Sequence, residues 1–235
     1  MSPVRVGLID SGIDAGLPVV AGRCFAPEAA ERRGGRDPLG HGSAVARVLL
    51  EQAGDVELLA AQVFTNRRSC PAAWVAAALD WLVSRDAAVV NMSFGMARPD
   101  ARLREACERA WRAGVVLVGA APARGAPAFP SAYPGCLAVS GDARCAPEEI
   151  SWLGTAAIDF GAYPFVLPCE PGAGGGASFA AARVAGRVAA LLRCGVAPHA
   201  MRDALRARCR HFGPERVVPA GESHACRDRP RSRQP

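Results

Sequence analysis

Short apolar runs alternate along this chain with longer, alanine-rich stretches of helical spacing, and that alternation constrains the fold more than any other feature. Val4 to Ile9 reads as a buried strand, Ala44 to Leu50 as a helix, and Val56 to Phe64 as a strand. Pro71 to Ser84 reads as a helix, with Pro71 suited to its first turn. Ala87 to Met92 is a strand, Asp100 to Ala113 a helix, and Val115 to Val118 and Cys136 to Ser140 are strands. Residues 177–194 predict a long helix small enough in side chain to pack closely, and Pro198 to Arg210 a last helix. Strand and helix taken in turn predict an α/β fold, a parallel sheet wrapped by helices. A length of 235 residues suits one such domain, and neither an internal repeat nor an interdomain linker interrupts it.

Half of the residues are apolar, which argues against disorder, yet no apolar run reaches the ~18 residues of a membrane span. The chain enters its first strand at once, without a signal-like apolar segment or a pro-segment, so the expected location is cytoplasmic. All 28 basic residues are arginine. Nine of them fall in residues 202–235 against four acids, a net of +5 in a chain whose total is +6. Residues 213–235 therefore read as a basic, Pro/Arg-rich tail after a domain spanning 1–212. The tail is either a dock for an acidic partner or a solvated terminus. Without aromatic residues interleaved among its arginines, it is not expected to bind nucleic acid. Nine cysteines without a CxxC pair or ligand spacing are expected to be free thiols, with Cys169 the nearest in sequence to the chemistry described next. No cofactor and no metal are expected, since no acidic cluster has the spacing of a calcium loop.

Three short segments could carry chemistry. Asp10-Ser11-Gly12 closes the first strand, where open α/β sheets place their ligands. His41 lies between Gly40 and Gly42 and is the only one of four histidines outside the last 37 residues. Ser178 follows the glycine-rich loop Gly172 to Gly176 and opens a helix, beside free backbone N–H groups. Each segment has a plainer reading alone: a turn, a loop histidine, a helix cap. Together they give the chain order Asp, His, Ser, one of the orders in which a catalytic triad recurs on unrelated folds.

These segments resemble the subtilisin-like serine proteases, the subtilases. Asp10-Ser11-Gly12-Ile13, His41-Gly42-Ser43-Ala44-Val45-Ala46 and Gly176-Ala177-Ser178-Phe179-Ala180 are similar to the family's three motifs, and the resemblance runs from Val4 to about Leu192. It implies a three-layer fold with a mostly parallel sheet, and catalysis by Asp10, His41 and Ser178. It further implies that Ser93-Phe94-Gly95 pairs with a peptide substrate as an added strand. Phe94 with Ala120-Ala121-Pro122 would shape the first specificity pocket.

The chain departs from the family in one place that matters. Ala123 stands where subtilases carry the asparagine that donates to the oxyanion, leaving the Ser178 backbone N–H as the remaining donor. Arg124 and Arg183 are candidates to supply charge instead; otherwise both are solvated surface residues. Two functions follow as expectations. One is a dedicated intracellular endopeptidase, like the compact subtilases that remove leader peptides from modified peptides or enzyme subunits. The other is a catalytically weak or inactive subtilase-fold protein that holds a peptide strand as a chaperone does.

Overall fold

The structure is a computed structural model and describes residues 3–27, 36–166 and 175–215. Its strands are β1 (Val4–Asp10), β2 (Val19–Cys24), β3 (Val56–Gln62), β4 (Val89–Met92), β5 (Val116–Ala120), β6 (Cys136–Gly141), β7 (Ile150–Trp152), β8 (Phe160–Ala162) and β9 (His211–Phe212). Its helices are α1 (His41–Ala53), α2 (Ala72–Val83), α3 (Ala101–Arg112), α4 (Ala177–Arg193) and α5 (Met201–Arg206). The strands form one sheet in the order β2-β3-β1-β4-β5-β6-β8-β7-β9, parallel except between β7 and β8. This is the α/β architecture expected from the alternation of runs.

The period-two alternation of a strand explains the layers. In β1, Val6 and Leu8 pack with α1 and α4 on one face, while Ile9 packs with α2 and α3 on the other. In β5, Val116 and Val118 belong to the first core and Leu117 to the second. Strands covered on both faces read as unbroken apolar runs, which is why they were legible. α4 is buried nearly all round, from Phe179 to Leu191, as its Ala, Val and Gly content allows. α3 is the surface counterpart. Leu103, Ala106, Cys107 and Ala110 face inward, and the Asp100 side chain caps it by accepting from the Leu103 N–H at 3.1 Å.

Four strands were not foreseen. β2 is an edge strand with only Cys24 buried, and β7, β8 and β9 have two or three residues each, too short for a periodic signal. The last helix is also shorter than expected. A 3-10 turn at Pro198–Ala200 precedes α5, which stops at Arg206, and the Arg210 N–H then donates to Ile150 O at 2.8 Å as the chain joins β7. Sheet pairing wins over helical propensity there. Most of the basic tail (216–235), Cys169 and residues 172–174 of the glycine loop lie outside the described residues. Among the described residues no helix is long and apolar enough to cross a membrane.

Candidate active site

Parallel strands bring the carboxyl ends of β1, β3 and β4 to one edge, with Asp10 opposite Gln62. Asp10 is 2% exposed there, and its carboxylate accepts from the Ser11 N–H at 2.7 Å. α1 starts at His41, three residues earlier than its apolar spacing indicates. Gly40 turns the chain into it with φ of 68°, a conformation that favours glycine. His41 Nδ1 lies 2.8 and 3.0 Å from the two Asp10 oxygens. A carboxylate only accepts, so the geometry puts the proton on Nδ1 and leaves the Nε2 lone pair for other work. The Asp10 hydrogen bond raises the His41 pKa above the ordinary imidazole value. Burial opposes that, the Asp10 and Asp37 charges add to it, and Arg68 opposes it.

The Asp10 loop and the His41 helix are clamped by a network that the motifs alone did not reveal. Gly42 allows the closest approach, since a Cβ there would overlap the Gly12 carbonyl oxygen. Ser11 Oγ accepts from the Gly42 N–H at 3.0 Å and donates to Asp37 Oδ1 at 2.7 Å. The other Asp37 oxygen accepts from the Ser43 N–H at 2.7 Å, and Ser43 Oγ accepts from the Asp14 N–H at 3.0 Å. Gln62 Nε2 donates to Ser11 O at 2.8 Å and Arg36 O at 3.1 Å. Asp37 and Gln62 are both buried. The sequence signal for Asp37 was the turn-forming Asp37-Pro38-Leu39-Gly40 run just ahead of His41; Gln62 carried none.

Ser178 is in the first turn of α4, after Gly176 at φ of 136°, and no side chain caps that terminus. Its N–H is one of the orphan donors of a helix start. Ser178 Oγ donates to Ser93 O at 2.9 Å, Ser93 Oγ donates to Ser178 O at 2.8 Å, and Asn91 Nδ2 donates to Ser93 Oγ at 2.9 Å. So the hydroxyl is tied to the end of β4, and no hydrogen bond joins it to His41 among the described residues. The next residue, Phe179, contacts the His41 ring with centroids 5.9 Å apart. Phe165 forms an isolated bridge with Gly175, which fixes the approach to this turn.

A cavity of about 190 Å3 opens beside these groups. Leu39, Phe64 and Phe94 make its apolar wall, with Phe64 and Phe94 edge to face at 5.4 Å. Asp10, Ser11, His41, Ser93 and Arg68 complete it. Gly95 follows on the chain and lies exposed. The other residues expected to shape substrate binding do not line this cavity. Ala120 is in the main core, Ala121 packs with Ala138 and Ile158, and Pro122 and Ala123 are exposed. Arg124 is exposed as well. Arg183 is not a solvated arginine: it is 1% exposed, pairs with Glu51 at 2.9 Å and donates to Phe165 O at 3.0 Å. Its guanidinium is therefore committed to holding the Phe165 segment. Among the described residues no group of three or more His, Cys, Asp or Glu side chains could hold a metal.

The chain shares 30% identity over 156 residues with Subtilisin E of Bacillus subtilis (strain 168), a match covering 59% of this chain and 40% of that protein. The chain thus spans well under two thirds of that relative's length. In structure it resembles a cold-adapted subtilisin-like serine proteinase, with TM-score 0.70, 22% identity, and 87% of this chain and 81% of the other covered. A lanthipeptide protease gives the same TM-score at 19% identity, covering 87% and 79%. The model of the subtilase family, Peptidase_S8, matches residues 2–156, which include the Asp10 and His41 motifs, and on that match the chain belongs to the subtilase family.

Proposed function

We propose that this protein is a serine endopeptidase acting through Asp10, His41 and Ser178. The observation that carries the reading is His41 Nδ1 held by both oxygens of a buried carboxylate, in a cleft that Ser178 joins through Ser93. In this mechanism a peptide pairs with Ser93-Phe94-Gly95 as an added strand. Its backbone N–H takes the Ser93 carbonyl, and the displaced Ser178 hydroxyl turns to His41 Nε2. The oxygen attacks the scissile carbonyl carbon as its proton passes to Nε2, and Asp10 stabilises the imidazolium. The Ser178 N–H donates to the oxyanion. Collapse breaks the C–N bond while His41 protonates the leaving amine, and water then hydrolyses the acyl-enzyme by the same steps.

Ala123 removes a side-chain donor at the oxyanion. In subtilisin itself, losing that donor lowers turnover by about 10²–10³. A slow triad fits selective cutting in the cytoplasm rather than general digestion. We extend the proposal to removal of a leader peptide from one precursor, in keeping with the structural likeness to a lanthipeptide protease. The precursor of the small (gamma) subunit of quinohemoprotein amine dehydrogenase is one substrate to test. Incubating candidate precursors with the protein and with its Ser178→Ala variant is the deciding experiment: cleavage should vanish in the variant, and equal cleavage by both sinks the proposal.

The Ser178 Oγ bond to Ser93 O favours a second reading, a peptide-holding protein without turnover. A fluorophosphonate probe separates the two. Labelling of Ser178 that is lost in His41→Ala supports the enzyme; no labelling of the intact protein supports the holder.

A further inference from the structure

The cleft holds a cation that the triad chemistry does not use. Arg68 lies on the segment that leaves β3, and the base of that segment is fixed. The Val63 and Phe64 N–H groups donate to Asp10 O at 2.9 and 3.3 Å, and the Phe64 ring packs edge to face against Phe94. Arg68 thereby reaches the cavity that His41 also lines, close enough for its charge to act on the imidazole. Its side chain is exposed and forms no ion pair or hydrogen bond among the described residues. Among the described residues, the acids at the cavity are already engaged: Asp10 by His41 and the Ser11 N–H, Asp37 by Ser11, Ser43 and the Leu39 N–H. The free charge thus shares a pocket with the apolar Leu39, Phe64 and Phe94, while Asp10, Ser11, His41 and Ser93 form the rest of the wall, and about 190 Å3 is room for one side chain. Apolar walls exclude water and strengthen the field of a charge at the rim.

We propose that Arg68 selects peptides carrying an acidic side chain on the residue that packs against His41, with the methylenes of Asp or Glu on the apolar wall and the carboxylate on the guanidinium. This rests on the cleft being a peptide site, and names the class of peptide it takes. A strand crossing the cleft offers side chains rather than its terminus, so the carboxylate is a side-chain one.

The test uses the non-cleaving Ser178→Ala chain and fluorescein-labelled decapeptides, N-acetylated or N-labelled and C-amidated so that no terminal carboxylate remains. A single Glu, Gln or Arg is placed in turn at each central position, and affinity is read by fluorescence anisotropy. At one position Glu should bind about five- to tenfold more tightly than Gln, the scale of a partly desolvated ion pair. With Arg68→Gln added, that ratio should fall to about one, and with Arg68→Glu the preference should pass to Arg. Equal affinity for Glu and Gln at every position, a preference that survives Arg68→Gln, or binding of no peptide overturns the proposal. A parallel set of peptides carrying one free C-terminal carboxylate and no acidic side chain should bind no better than the Gln set; tighter binding dependent on Arg68 overturns the side-chain assignment. Cleavage is scored separately with Ser178 intact. A Glu preference without cleavage defeats the peptidase reading and leaves the Arg68 site standing.

Discussion

At the scale of single residues, the chemistry depends on one imidazole and the groups that set its proton affinity. In the proposed mechanism His41 must be neutral to accept the Ser178 proton, so activity falls as pH drops through its folded-state pKa. The Asp10 hydrogen bond and the Asp10 and Asp37 charges raise that pKa, against burial and Arg68. The acid limb of kcat/KM against pH should therefore lie above the ordinary histidine value of about 6.5. Asp10→Asn removes the largest of these causes and should move the limb to lower pH, while turnover drops by about 10⁴, the scale of that change in another Ser-His-Asp triad. A limb unmoved by Asp10→Asn would show that another group titrates. Gly42 is the second residue on which the site depends. Gly42→Ala forces a methyl into the Gly12 carbonyl and should cost about 1–3 kcal/mol by overpacking, with loss of turnover as His41 and Asp10 part. Thermal unfolding of the variant measures the first effect and peptide hydrolysis the second.

At the scale of elements, the distance between His41 and Ser178 is set by how α1 and α4 cross. His41 opens α1 and Ser178 lies in the first turn of α4. A Cβ on Gly186 would overlap the Leu49 carbonyl of α1 and press on the Gln52 side chain. Gly186→Ala should therefore separate the helices, costing about 1–3 kcal/mol and lowering kcat more than it raises KM, because in the proposed mechanism the peptide strand pairs with Ser93-Phe94-Gly95 rather than with either helix. Unchanged kcat in a destabilised Gly186→Ala protein would show that the crossing does not control the site. The first turn of α4 has a second support, buried in the same layer. Arg183 holds Phe165 O, and Phe165 pairs with Gly175 just before Ser178. That arginine stands on the same helix as Ser178, yet its partners came from residues 51 and 165, which no local pattern ties to it.

At the scale of the whole molecule, two cores lie on opposite faces of one sheet and take Cys70, Cys107, Cys136 and Cys209 with them. Seven described cysteines are free thiols. Burial pushes Cys70 and Cys107 up to about 12, Cys145 and Cys209 to about 11, and Cys136 well above the ordinary thiol value. Reactivity follows the thiolate, so brief iodoacetamide treatment at about pH 8 should label exposed Cys194 ahead of these five, read by peptide mass spectrometry. Equal labelling would show that the cores open readily. The alternation of runs by itself determined the α/β class and the larger strands and helices, because a strand buried on both faces must be apolar throughout and a helix must keep its 3.6-residue period. The motifs with their glycines likewise marked Asp10, His41 and Ser178 as candidates. Only the tertiary structure decided what surrounds them. Asp37, Gln62 and Arg68 reach the site through hydrogen bonds and charge acting across turns of the chain, and Ser178 meets Ser93 across 85 residues. Side-chain period reports which face of an element is buried, but contact between distant segments depends on how the elements pack, and no local pattern encodes that.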